Sequence, residues 1–216
     1  MSKRFLGILV IIVLALGVVY WSTNRKSDKG SASSSSSSSS QLSSHILGKG
    51  TTGVTLVEYG DYQCPYCGQY YPLIKSVTDK YQDQIAFQFR NFPLSQVHQN
   101  AFAGARAAEA AGLQNKYWEM HDLLYEQQNS WQGSTNVEPV FEQYATELGL
   151  NLTKFKTDYA SSAVNNVINA DESEGTKLGV QGTPTFFLQG KQLNPSPTTA
   201  AGFEKLIDAT IAKNKK

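Results

Sequence analysis

A chain of 216 residues with 19 basic and 18 acidic side chains has a formal net charge of +1, so nothing in its overall charge points to nucleic acid as a partner. Only two cysteines and three histidines are present. That excludes a small domain stapled by several disulfides and leaves no paired set of ligands for a structural zinc site.

Lys3 and Arg4 precede an uncharged apolar run from Phe5 to Trp21. It is just long enough to cross a bilayer core. Bulky residues, Val18 to Trp21, fill its end, and the first small-x-small sequence, Gly30-Ser31-Ala32, comes only after Lys26, Asp28 and Lys29. Residues 1–21 therefore read as a retained signal anchor, a single transmembrane helix, in preference to a cleaved signal. No cysteine follows the run to carry a lipid. Residues 22–44 lose apolar character and include eight consecutive serines, Ser33 to Ser40. Such a segment buries no core and behaves as a flexible tether with a span of roughly 25 Å. Residues 45–216 have the length of one domain.

Within that domain Val54-Thr55-Leu56-Val57-Glu58-Tyr59 predicts a buried strand that feeds a helix starting at Pro65, a residue suited to a first helical turn. Tyr66, Tyr70, Leu73, Ile74 and Val77 are expected on one face of this helix. A second strand is predicted at Ile85–Phe92, where apolar and polar residues alternate, and Pro93 ends it. Helical patterns follow at His98–Gly112, Asn115–Gln128, Val137–Leu148 and, with a break, Leu152–Leu178, closed by Gly149 and Gly179. Thr185-Phe186-Phe187-Leu188 and a turn at Gly190-Lys191 predict a hairpin, and Thr199–Ala212 a final amphipathic helix.

Both cysteines fall in Cys64-Pro65-Tyr66-Cys67. A loop this short gives a disulfide only about 2 kcal/mol of stabilising entropy, so the pair reads as a redox reagent and not as a brace. Cys64 at a helix N-terminus is the nucleophile that forms a mixed disulfide with a client, and Cys67, one turn inside, resolves it. Glu58 has two readings of equal weight: a buried carboxyl that relays a proton to and from Cys67, or a strand-end carboxylate paired with Arg90 or Lys75. Asp61 is expected to point to solvent, since it would oppose a nearby thiolate. Arg90, Asp171, Glu172 and Glu174 read as surface charges, and Tyr117, Trp118, Tyr125 and Trp131 as core aromatics. His45, His98 and His121 lack a paired metal-ligand spacing, so no metal is expected. Asn151-Leu152-Thr153 matches a glycosylation acceptor, but a helix start explains it as well.

Four ordered stretches, Glu58 to Cys67, Arg90 to Leu94, Tyr117 to Leu124 and Gly182 to Phe187, make residues 50–212 resemble the DsbA-like branch of the thioredoxin superfamily. The resemblance implies an α/β thioredoxin fold, a central mixed sheet flanked by helices, with a helical insert at about residues 95–178. It implies a cis Pro184 beside the cysteines, with the backbone of Thr183 pairing to an extended client, and Pro65 and Tyr66 at the same client surface. It also implies a redox-active Cys64–Cys67 disulfide with no other cofactor. Family analogy further gives a membrane-tethered, extracytoplasmic dithiol oxidase that acts as a monomer on exported thiol proteins and is reoxidised by a membrane quinone-linked protein. A reductase or isomerase would use the same dithiol, and a peptide-binding module without catalysis is the third reading. The family's frequent His after the motif proline is Tyr66 here, which implies a less oxidising couple. The usual basic partner of the buried Glu has no match, its place being taken by Phe87-Gln88-Phe89.

Overall fold

The computed structural model describes residues 41–215, so the expected anchor at 1–21 and nearly all of the tether at 22–44 lie outside the described residues. Among the described residues no helix is long and apolar enough to cross a membrane.

Five strands form one mixed sheet: β1 (Ile46–Leu47), β2 (Val54–Gly60), β3 (Ile85–Asn91), β4 (Thr185–Leu188) and β5 (Lys191–Gln192). Their order is β1-β3-β2-β4-β5, with β2 and β3 parallel and the other pairs antiparallel. Helix α1 (Pro65–Lys80) connects the parallel pair, as a crossover must. Between β3 and β4 the chain inserts α2 (Ala101–Gly112), α3 (Tyr117–Glu126), α4 (Gln128–Trp131), α5 (Glu138–Glu147), α6 (Leu152–Tyr159) and α7 (Ser162–Lys177); α8 (Ala200–Asn214) follows the hairpin.

Strand alternation sorts the core. Val54 and Leu56 of β2 pack with Ile85 and Phe87 of β3 and Phe186 of β4 against Ile74 and Val77 of α1 and Phe203, Ile207 and Ile211 of α8. Tyr59 and Phe187 face the other way, against Phe92 and Val180. A further core joins the insert to the sheet and the cysteine loop: Trp131, Phe141, Phe155 and Ile168 are fully buried in one cluster with Tyr62, Cys64, Cys67 and Phe89. Alanines of α2 let these helices approach closely, and an added Cβ on Gly104 would come within 3.1 Å of Tyr62 Cβ and 3.3 Å of the Trp131 ring.

Several elements differ from the sequence reading in instructive ways. The His98 pattern does not start a helix until Ala101, because Leu94 to Asn100 form backbone turns that the Asp61 and Gln63 side chains tie down. The Leu152–Leu178 pattern breaks at Ala160-Ser161, where Ser161 caps α7 by accepting from the Val164 N–H. Asn151 caps α6 through the Lys154 N–H, which is the helix-start reading of that motif. Tyr66 is 66% exposed and leaves the apolar face of α1, its place there taken by Cys67. Strand β1 and helix α4 were not foreseen, being two and four residues long.

Asp171 and Arg90 do not lie on the surface. Asp171 is fully buried; its Oδ2 accepts from the backbone and side-chain nitrogens of Asn91, both at 3.0 Å, and its Oδ1 from the Ser43 N–H at 3.0 Å. Arg90 lies 3.7 Å from Asp171 and 3.6 Å from Glu174, and donates to the Ser43 carbonyl. Burial raises the Asp171 pKa to about 6 against these donors. This polar seam ties α7 of the insert to β3 and to the segment preceding β1.

Candidate active site

Cys64 is the N-cap of α1, with extended backbone angles, and Pro65 occupies the first turn. Both cysteines are buried free thiols, Cys67 with no exposed surface. A cis Thr183-Pro184 bond places Thr183 beside the pair, where Cys64 Sγ lies 3.4 Å from its carbonyl oxygen. The Cys64 pKa is lowered to about 5. Its first cause is the Cys67 thiol, which donates to the Cys64 sulfur; burial works the other way, and the Thr183 side chain and the N–H groups of Cys67 and Tyr66 add to the lowering. The Thr183 hydroxyl has no other partner among the described residues. Burial pushes the Cys67 thiol well up, with the Cys64 sulfur and the Glu58 charge adding to it. Near neutral pH one sulfur is therefore a thiolate and the other a thiol, an asymmetry that suits stepwise exchange.

The register of the sheet positions Glu58. It pairs with Phe89 on one side and Phe186 on the other, and its side chain falls on the same face as Val54 and Leu56. Only 4% of it is exposed, and burial first, then the Cys64 charge, raise its pKa to about 8. Neither basic group considered in the sequence reading pairs with it: Arg90 belongs to the Asp171 seam, and Lys75 binds Asp122 at 2.9 Å. Gly60, two residues on, is required by close approach, since a Cβ there would lie 2.3 Å from the Phe89 ring.

Asp61 corrects an expectation. It is 1% exposed and its carboxylate is occupied by the N–H groups of Gln63 at 2.7 Å and Leu94 at 3.0 Å and by His98 Nδ1 at 2.7 Å. The carboxylate pins the loop before the cysteines, and its backbone N–H donates to the Cys67 sulfur.

Two glutamines that sequence reasoning missed join the same loop to the insert, Gln128 from the insert and Gln63 from the loop itself. Gln128 Nε2 donates to the carbonyls of Tyr62 at 2.8 Å and Cys64 at 3.0 Å. Gln63 donates to the Gln132 carbonyl at 2.7 Å and accepts from the Asn100 N–H at 2.6 Å. Glutamine has no sequence signature for such a role; only contacts with segments 37 to 69 positions away reveal it.

The outer face of the site is formed by exposed Pro65 and Tyr66 and half-buried Thr183 and Pro184. The predicted residues thus converge from β2, the start of α1 and the loop before β4. The described residues contain no cluster of His, Cys, Asp and Glu suited to a metal ion.

The sequence model of a family described as Thioredoxin matches residues 40–209. The chain is 33% identical over 167 residues to a protein named Na(+)/H(+) antiporter NhaA 1 from Mycolicibacterium gilvum, a match covering 76% of this chain and 26% of that protein. The chain thus spans about a quarter of the length of the curated relatives it matches, and the antiporter name describes those longer proteins. Among solved structures, a thioredoxin-like oxidoreductase from Silicibacter pomeroyi superposes with a TM-score of 0.63 at 26% identity, covering 77% of this chain and 91% of that one. BdbD from Bacillus subtilis, in its oxidised form, superposes with a TM-score of 0.67 at 20% identity, covering 77% and 92%. With its dithiol at the head of α1, its cis proline and its helical insert, the chain belongs to the thioredoxin family whose model it matches.

Proposed function

We propose that this oxidoreductase is a dithiol oxidase, held at the cell membrane by residues 1–21 with residues 45–216 on the extracytoplasmic side, that gives its Cys64–Cys67 disulfide to exported thiol proteins. What supports the direction is the setting of Cys64 at the N-terminus of α1 beside Thr183, where the Cys67 thiol and the helix N–H groups favour its thiolate and lower its pKa to about 5. A thiolate this stable favours the reduced form of the protein, which makes its disulfide a willing electron acceptor. It is also a good leaving group when a client's second thiol displaces it.

In the first step a client thiolate attacks Cys64 Sγ; the Cys64–Cys67 bond breaks, and Cys67 leaves with the electron pair and takes up a proton, for which Glu58 is the donor. In the second, the other client thiolate attacks the client sulfur of the mixed disulfide. The client's S–S bond forms and Cys64 departs as the thiolate. Two electrons have passed to the protein, and a membrane quinone-linked partner removes them by disulfide exchange. The client lies extended across Tyr66 and Pro65, pairing with the Thr183 backbone beside Pro184. The Cys64–Cys67 pair is itself the redox group, with no bound cofactor or metal, and one monomer suffices.

The test is the reduction potential of the full-length chain together with the redox state of Cys64 and Cys67 in the cell. An oxidase is found oxidised in the cell, with a potential well above the roughly −270 mV of thioredoxin. A potential at or below that value, with the thiols held reduced, would make the chain a reductase or isomerase.

A further inference from the structure

The Glu58 carboxyl opens on a cavity of ≈ 90 Å³ that lies between α1 and α3 and reaches Lys75 and Asp122 at its mouth. This volume has room for several water molecules. His121 and Tyr125 line the same cavity. Both are buried, and both carry a polar atom, His121 Nε2 and the Tyr125 hydroxyl, with no hydrogen-bond partner among the described residues. Buried polar atoms are otherwise almost always paired, so two orphans on one cavity wall call for a purpose. Tyr125 is near enough to Cys67 and Glu58 for the charge of each to bear on its hydroxyl.

His121 has a defined orientation. Its Nδ1 lies 3.3 Å from Asp122 Oδ1, and Asp122 in turn binds Lys75 at 2.9 Å, at the protein surface. An Nδ1–H held toward a carboxylate leaves Nε2 as the acceptor. Burial lowers the pKa of the ring, so it is neutral near pH 7 and able to take a proton and release it. The titratable groups around the ring and its cavity come from each neighbouring element: Glu58 from β2, Tyr62 from the loop before the cysteines, Tyr71, Lys75 and Asp79 from α1, and Tyr117, Asp122 and Tyr125 from α3 itself.

We propose that His121 is the proton exit of the buried dithiol, passing protons between Glu58 and the surface pair Asp122–Lys75 through water in this cavity. The proposal rests on Glu58 serving as the proton donor to Cys67. When the Cys64–Cys67 bond breaks and Cys67 leaves as a thiolate, Glu58 gives it a proton and is refilled from solvent by way of His121. When a partner reoxidises the pair, the Cys67 proton leaves along the same route. His121 touches neither sulfur and is a positioning residue for the proton. The path takes the place of the basic side chain that this chain lacks at Phe87-Gln88-Phe89.

The experiment measures, between pH 5 and 9, the rate at which the oxidised full-length chain is reduced by a two-cysteine model peptide. His121→Gln is expected to slow the reaction roughly tenfold at neutral pH. The reduction potential stays where it is, because a relay changes rates and not end states, and added imidazole restores the rate. Glu58→Gln slows it as well. If Glu58→Gln is slow and His121→Gln keeps the parent rate across the pH range, the exit runs elsewhere and the proposal is overturned while the Glu58 role stands. If Glu58→Gln keeps the parent rate, the Glu58 role fails and the proposal with it. A slow His121→Gln with a shifted potential, or one that imidazole does not rescue, reports lost packing and also overturns it. Should His121→Gln not fold, Asp122→Asn at the cavity mouth gives the same reading: a several-fold slowing supports the route, and a parent rate refutes it.

Discussion

Replacing Glu58 by Gln tests the electrostatics of the site through stability. The folded-state pKa of Glu58 is raised from 4.5 to about 8, so its contribution is fully present below pH 4.5 and is lost as pH rises toward 8. At about 1.4 kcal/mol per unit, the loss reaches about 3 kcal/mol at neutral pH. Cys64 has the opposite sign. Its pKa falls from 9.0 to about 5, so its contribution is absent below pH 5, grows as pH rises and is complete above pH 9, again about 3 kcal/mol at neutrality. Between pH 5 and 8 the slopes of Glu58 and Cys64 nearly cancel, leaving the reduced protein the slope of its other groups, such as Asp171, whose pKa is raised to about 6. Glu58→Gln removes one slope and uncovers the other, so relative to the parent the reduced variant gains about 1.4 kcal/mol per pH unit over that window. The buried Gln amide itself costs or returns about 1–3 kcal/mol, but equally at each pH, so the slope and not the midpoint is the readout. Urea unfolding of the reduced full-length chain, followed by the fluorescence of buried Trp131, measures it at several pH values. If parent and variant run parallel between pH 5 and 8, Glu58 does not titrate as a buried carboxyl and the argument fails.

Thiolate absorbance should show Cys64 half ionised near pH 5, and Cys67→Ala should move that midpoint upward, since the Cys67 thiol is the first cause of the lowering; an unmoved midpoint would shift the credit to Thr183 and the helix N–H groups. Gln128→Ala leaves the Tyr62 carbonyl without its donor and should cost about 1–3 kcal/mol in urea unfolding while slowing exchange with the model peptide. Asp171→Ala leaves the buried backbone N–H groups of Ser43 and Asn91 without their acceptor and takes from Arg90 one of its two carboxylate neighbours, and should cost about 3–5 kcal/mol; a loss under about 1 kcal/mol would show that the seam is dispensable.

The legible parts of this protein are those governed by short-range chemistry. Val54 to Tyr59 announced a buried strand because β-branched and apolar side chains suit a sheet covered on both faces. Pro65 after Cys64 announced a helix start, since proline lacks the N–H that a first turn leaves unpaired anyway. Less was visible wherever a partner is distant in sequence. Arg90 and Asp171 are ordinary surface residues by type, and only a contact spanning about 80 positions makes them a buried seam. Asp61 was misplaced for the same reason: its three N–H donors come from Gln63, Leu94 and His98, and two of those arrive through the folding of another loop.

The sequence by itself determined the reagent. Two cysteines at a helix start, with no others in the chain, read as a pair for exchange, because so short a loop is a poor brace for a fold. Tertiary structure decided how that reagent is tuned. It put Glu58 between Phe89 and Phe186, where burial favours the protonated carboxyl. It brought Thr183 against Cys64 from the far end of the chain, and it placed the cavity with His121 behind Glu58. A thiol's identity is covalent and local, whereas its pKa depends on burial and on neighbours within a few ångströms, which only the folded chain supplies.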